Sequence, residues 1–239
     1  MRKLVFRLLI LLCALTILIG VGVCPQMADA TVIFSDNFDD GNDDGWNQFY
    51  STWSAVTGEY VTVEAPSDFY TFSGDSTWSN YTFEADVKMD MWENDVGLVF
   101  YNQAGNTQNI RFTIVKTGND SVLPLISWQQ FSEDEYDTVD ELATFTNTAL
   151  SLVDGTWYHF KIDILGDTVS AYIDDVLFAS ADGLPFSSGG IGLVSDQQDR
   201  TTFFDNVLVT TNSVPEPATL VLLGTGLVGL AGFRRKFRS

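Results

Sequence analysis

From Tyr81 to Asp90 the chain alternates without a break. Tyr81, Phe83, Ala85, Val87 and Met89 are apolar or aromatic, whereas Thr82, Glu84, Asp86, Lys88 and Asp90 are polar or charged. Successive side chains of a strand point to opposite faces, so this run is predicted to be a strand with one face in a core and the other in solvent. The same period recurs in Tyr158-His-Phe-Lys-Ile-Asp-Ile-Leu, followed by a Gly166-Asp167 turn, a run from Val169 and a second turn at Asp174-Asp175. These read as consecutive antiparallel hairpins. Further short aromatic or β-branched runs lie at 46–50, 52–56, 59–64, 69–72, 96–102, 109–116, 124–131, 176–179, 191–194 and 201–209, with Gly, Asp and Asn turns between them. Many short strands without a long helical period predict an all-β domain, either a sandwich or a barrel.

The two ends of the chain follow a different logic. Arg2, Lys3 and Arg7 precede an apolar run from Leu8 to Val23, and Ala28-Asp29-Ala30 offers a small-x-small cleavage site. That order is a secretory signal peptide over residues 1–30. Lipidation at Cys24 is the lesser alternative, because Val23 stands where a small residue is wanted. At the other end, Pro215-Glu216-Pro217 leads into an uncharged run that closes on Arg234-Arg235-Lys236-Phe237-Arg238. About fifteen residues from Ala218 to Gly232 make roughly 22 Å of helix, a little short of a comfortable bilayer span. The run has no polar face, and the basic cluster acts as a positive-inside stop. Residues 214–239 resemble the PEP-CTERM sorting signal, with Pro215, Glu216 and Pro217 as its recognition tripeptide. The resemblance implies an exosortase as partner, transient anchoring in the inner membrane, and display or release at the cell surface.

Between these ends, residues 31–213 fit one domain. Cys13 and Cys24 both fall in the signal peptide, so the exported domain has no disulfide to draw on. Asp29 and Glu216 lie outside the domain, leaving 30 of the 32 carboxylates against Lys88, Arg111, Lys116, Lys161 and Arg200, a formal charge of −25. Such a surface repels nucleic acid and anionic lipid and suits divalent cations or neutral sugars, although solubility alone would explain it.

Several runs then occur in a telling order: Trp53-x-x-Val56-x-Gly58-Glu-Tyr-Val, Gly155-Thr-Trp-Tyr-His-Phe-Lys-Ile with its hairpin, Gly189-Gly-Ile-Gly-Leu-Val and Phe204-Asp-Asn-Val-Leu-Val. Together they resemble a concanavalin A-like (laminin G-like) domain, which implies a two-sheet antiparallel jelly-roll sandwich. That fold hosts lectin-type binding modules, family 16 glycoside hydrolases, 3-keto-disaccharide hydrolase-like domains and structural modules, so it leaves function open. The resemblance also implies a Ca²⁺ ion clamped between an N-terminal segment and an aspartate near the last strand. Asp36 and Asp205 hold those positions, with a backbone hydrogen bond of Asp205 as the alternative.

Catalytic patterns are thin. A retaining family 16 site would place Glu-x-Asp-x-x-Glu on one strand face. Here Glu84-x-Asp86 begins that pattern, Met89 and Asp90 stand where the second glutamate belongs, and Lys88 shares the face. The exported domain has one histidine, His159, and no cysteine, which excludes His-Cys zinc sites and Cys-His nucleophiles. For ligand binding, the strands around Phe100, Phe112 and Ile114 direct those residues inward and leave Tyr101, Arg111 and Trp128 on the other face. The alternative packs Trp128 inside the sandwich and balances Arg111 with a local carboxylate. The acidic segment Glu133-Asp-Glu-Tyr-Asp137 reads as a solvated connection. The sequence thus points to an exported surface or matrix protein, non-catalytic and either carbohydrate-binding or structural, with extracellular polysaccharide as the expected partner. A glycan-active hydrolase of the same fold and an adhesive matrix protein without a small ligand are the alternatives.

Overall fold

Residues 81–89 form a strand in which buried and half-buried side chains alternate throughout, as the sequence period requires. The computed structural model describes residues 30–49, 51–56, 58–64, 69–90, 95–116, 122–132, 135–144, 151–195 and 201–212. The signal peptide, the tripeptide Pro215, Glu216 and Pro217, and the apolar helix after it lie outside the described residues.

In chain order the strands are β1 (Val32–Asp36), β2 (Asn47–Phe49), β3 (Thr52–Val56), β4 (Glu59–Glu64), β5 (Phe69–Ser73), β6 (Tyr81–Met89), β7 (Val96–Asn102), β8 (Gln108–Lys116), β9 (Val122–Ser132), β10 (Glu135–Thr144), β11 (Tyr158–Leu165), β12 (Thr168–Ile173), β13 (Val176–Ala181), β14 (Gly190–Ser195) and β15 (Thr202–Thr211). A 3-10 turn, Ala104–Asn106, joins β7 to β8. One sheet has eight strands in the order β13-β12-β11-β6-β15-β4-β3, with β1 also paired to β15. The other has seven, in the order β10-β9-β8-β7-β14-β5-β2. All pairings are antiparallel, and the two sheets make the expected jelly-roll sandwich.

The inner faces meet in an aromatic core. Phe83, Phe160 and Phe204 from the eight-stranded sheet and Phe100 and Phe112 from the seven-stranded sheet are fully buried, and the rings of Phe112 and Phe160 meet at 6.0 Å. Each such phenylalanine contributes about 1.5–3 kcal/mol of burial, which is how the domain holds together without disulfides.

Two strands were not foreseen. β1 pairs with β15, and β10 occupies the segment read as a solvated connection. β10 is an edge strand whose residues 137–141 are exposed, so its composition looks like a loop, yet Tyr136 within it is buried. The seven-stranded sheet is also strongly curled. Phe49, on edge strand β2, packs its ring 4.9 Å from Phe131 of β9 and 6.0 Å from Tyr136 of β10, at the opposite edge. The outer face of this sheet is therefore a closed-over trough.

Candidate functional site

The trough is lined by the residues that alternate with the core positions of β8 and β9. Ile110, Phe112 and Ile114 point into the sandwich, so Asn109, Arg111 and Thr113 line the trough. In register, Arg111 stands opposite Val99 of β7 and Ser127 of β9, and Asn109 opposite Gln129. Arg111 is 8% exposed. Its Nη1 donates to the Tyr70 hydroxyl at 2.8 Å, and its Nη2 lies 3.4 Å from the Asp95 carboxylate. Tyr70 lies on β5, three strands from β8, roughly 14 Å at about 4.8 Å per strand. Two long side chains span that gap because only Val99, Val194 and glycines stand between them on this face. At Gly192 a Cβ would come within 2.6 Å of the Phe72 ring, so glycine there lets Phe72 lie close against β14.

One part of the trough is aromatic. The rings of Tyr70 and Tyr136 lie 4.6 Å apart, with Phe49, Phe72 and Phe131 around them. Burial raises the Tyr136 phenol, keeping it a donor, and it bonds the Asn106 carbonyl. The rest is polar. Gln129 Nε2 donates to Ser127 Oγ at 2.8 Å and Thr138 Oγ1 at 3.0 Å. The Thr113 hydroxyl is buried without a hydrogen bond among the described residues, and the buried Asn109 amide, beside the Tyr136 phenol, makes none of full geometry. Such atoms carry a penalty of about 1–3 kcal/mol each, which a ligand presenting hydroxyls would relieve.

Of the three expected ligand contacts, only Arg111 is in the trough. Tyr101 is fully buried in the core. Its φ of 50° and the register shift opposite Gly190 and Ile191 form a bulge that breaks alternation, so Phe100 and Tyr101 both join the core cluster. Trp128 stands opposite Ile110, on the same side as Ile126, and meets Phe186 edge-on at 5.8 Å. It packs on the sandwich side, as the alternative reading had it.

The two residues of the expected metal pair, Asp36 and Asp205, have different partners. Asp36 stands opposite Val207, whose side chain is in the core, and accepts hydrogen bonds from the Phe38 amide and the Trp46 indole, both at 2.9 Å. Asp205 follows the core residue Phe204 and faces outward, near Asp86, Asp39 and Glu59; burial first, then these charges, raise its carboxyl. Asp36 and Asn206, the neighbour of Asp205, line one open depression beside β1. Among the described residues no group of three or more His, Asp or Glu side chains is arranged to hold a metal.

Glu84 and Asp86 lie on the outer face of the eight-stranded sheet. His159 Nδ1 is 2.8 Å from Asp86 and Nε2 is 3.5 Å from Glu84, while Asn206 donates to the second Asp86 oxygen at 2.9 Å. The hydrogen bonds to Asp86 and then Glu84 raise His159 to about 10, and the bond to His159 lowers Asp86. A glycosidase acid needs a raised carboxyl, the opposite of what Asp86 shows. Lys88 shares this face, 2.9 Å from Glu59 and stacked over Trp157 and Phe203.

Residues 33–210 match the family described as a 3-keto-alpha-glucoside-1,2-lyase-like domain, and residues 213–236 match the PEP-CTERM protein-sorting motif. No curated protein matches the chain in sequence. Among solved structures, the chain is similar to the carbohydrate binding module CBM66 from Bacillus subtilis, at 21% identity over 69% of this chain and 94% of that one, with a TM-score of 0.54. It is similar to SCLam, a non-specific endo-beta-1,3(4)-glucanase of family GH16, at 11% identity over 77% and 92%, with a TM-score of 0.55. A protein of unknown function with a galectin-like fold from Bacillus subtilis aligns at 10% identity over 79% and 99%, with a TM-score of 0.60. At these identities the likeness speaks for the fold alone.

Proposed function

The chain belongs to the 3-keto-alpha-glucoside-1,2-lyase-like domain family, and from that premise we propose an exported surface or matrix protein that binds polysaccharide in the trough without cleaving it. The observation that carries this reading is the buried Arg111–Tyr70 pair, set among amides, hydroxyls and aromatic rings on one concave face. The sorting motif at residues 213–236 supports export across the inner membrane and processing by an exosortase. Calcium enters the proposal as an ion drawn to the acidic surface at Asp205, whose carboxyl is raised by burial first and then by the charges of Asp86, Asp39 and Glu59.

A second reading, lyase action on a 3-keto-glucoside, is favoured by the family match itself. Elimination beside a keto group needs a free base to remove the proton. His159, the chain's one histidine, is held protonated at neutral pH, so in that reading the base would be a carboxylate.

The test is titration of the full-length chain in detergent with a glycan panel that includes the host's own exopolysaccharide. Saturable binding is expected, weakened about five- to tenfold in Tyr70→Phe, which removes one hydroxyl. Shortened oligosaccharides would favour a hydrolase, and an eliminated keto-sugar the lyase. Neither binding nor turnover would favour an adhesive matrix protein.

A further inference from the structure

A second polar depression, of about 360 Å³, lies at one end of the sandwich, between the turn after β5 and the 3-10 turn Ala104–Asn106. Asn47, Phe72, Asp75, Ser76, Asn102 and Asn106 are among the residues that line it. Asn102 is decisive. It is 8% exposed, its Nδ2 donates to Asn106 Oδ1 at 2.7 Å, and its own Oδ1 is buried without a hydrogen-bond partner. The bond to Asn106 fixes the amide, so the remaining oxygen is a held acceptor at the wall of the cleft. The wall is close backbone at Gly190, where a Cβ would come within 2.6 Å of the Ser73 carbonyl. The 3-10 turn is itself fixed from the trough side, since Tyr136 donates to the Asn106 carbonyl.

The lining selects the ligand class. Among the described residues it contains amides, hydroxyls, the Phe72 ring and one carboxylate, Asp75, and no lysine, arginine or histidine. Hydrogen bonding to Thr77 lowers Asp75, so it is ionised at neutral pH and an acceptor only. A site rich in acceptors, without a cation, suits a donor-rich neutral ligand and disfavours phosphates and uronates. The volume is near the low end of ligand pockets, enough for one or two sugar rings and not for a long chain.

We propose that this cleft is a binding subsite for a neutral sugar residue, next to the trough and sharing Phe72 with it, with Asn102 Oδ1 accepting a sugar hydroxyl and Asp75 accepting another at the rim. The proposal stands on the cleft's own geometry and survives if the trough binds nothing.

The probe is methyl α-glucoside, with glucuronate as the anionic control, followed on the full-length chain in detergent by saturation-transfer NMR. A dissociation constant of about 1 mM is expected for one neutral ring. Asn102→Ala should weaken binding about tenfold, and Ser76→Leu, at an exposed lining position, should block it without touching the core. Lys88→Met, on the outer face of the other sheet, should leave methyl glucoside binding unchanged. Binding that ignores both cleft variants, glucuronate bound as tightly as glucoside, or no binding at all would each overturn the proposal. If Tyr70→Phe fails to weaken polymer binding while the cleft variants abolish glucoside binding, the trough reading falls and the cleft stands.

Discussion

The outer faces of the two sheets solve opposite problems. On the eight-stranded sheet the face is wet, and its charges answer one another at the surface: Lys88 with Glu59, Lys161 with Asp175, and His159 with Asp86 and Glu84. On the seven-stranded sheet every residue of β7 and β14 is buried, and the one guanidinium reaches across strands to a tyrosine. Charge pairs at a surface are replaceable and contribute little each. Polar groups that a curled sheet keeps from water must be answered inside, and those left unanswered mark where a ligand can add bonds.

The largest break in this contrast is at Gly97, where β7 lies against β8. A Cβ there would stand 1.9 Å from the Phe112 carbonyl oxygen, a backbone atom that cannot rotate away. Gly97→Ala therefore has to separate two central strands, and a loss of at least about 4 kcal/mol or failure to fold is expected. Yield of soluble protein and urea denaturation would show it, and a variant of near-native stability would mean the sheet is less tightly curled. Next comes a matched pair of substitutions. Arg111→Met leaves Asp95 without one partner in a largely buried place and should cost about 3 kcal/mol, whereas Lys88→Met on the wet face should cost about 1 kcal/mol or less. Equal losses in denaturant titrations would abolish the distinction between the faces.

Asp36 gives a smaller effect with a clearer readout. Asp36→Ala strands the Trp46 indole and the Phe38 amide, a loss of about 2 kcal/mol. Because those bonds are to the protein, the loss should be the same in calcium and in chelator. A penalty present only with calcium would restore Asp36 as a ligand.

The sandwich was legible because one-sided strands advertise their two faces, as β6 and β11 do. Arg111 was placed on the right face by the same rule. Tyr101 was not, because a left-handed residue and its bulge invert the count by one, and the sequence around it reads as unbroken strand. Tyr70 and Phe72 were hidden for another reason: in Phe69-Tyr-Thr-Phe-Ser both faces carry aromatic rings, so period two says nothing about which faces the trough. Tyr136 sat in a segment whose acids are the solvent side of an edge strand. Asp36 and Asp205 were brought together by the family resemblance alone; they sit on paired strands, and pairing says nothing about the side of the sheet until both parities are known.

The smallest effect tests the wet face by its chemistry. The His159 side chain is 39% exposed and is raised from 6.5 to about 10 by Asp86 first and Glu84 second. A histidine raised on folding stabilises fully below its ordinary 6.5, and that contribution fades as the pH climbs through about 10. Asp86, lowered on folding, contributes above its ordinary 3.8 and loses that contribution as the pH falls through its depressed value. The pair is therefore intact across the neutral range, with a weight of under about 1 kcal/mol at this exposure. Asp86→Asn removes the larger cause, so the titration of His159 should move down from about 10 toward 6.5, with Glu84 holding part of the shift. The chain has a single histidine, so its imidazole protons in an NMR pH titration need no assignment. If the unaltered protein already titrated near 6.5, the ion cluster would not be closed, and His159 would be a free base near neutrality. The lyase reading would then gain a histidine base, on the face opposite the trough.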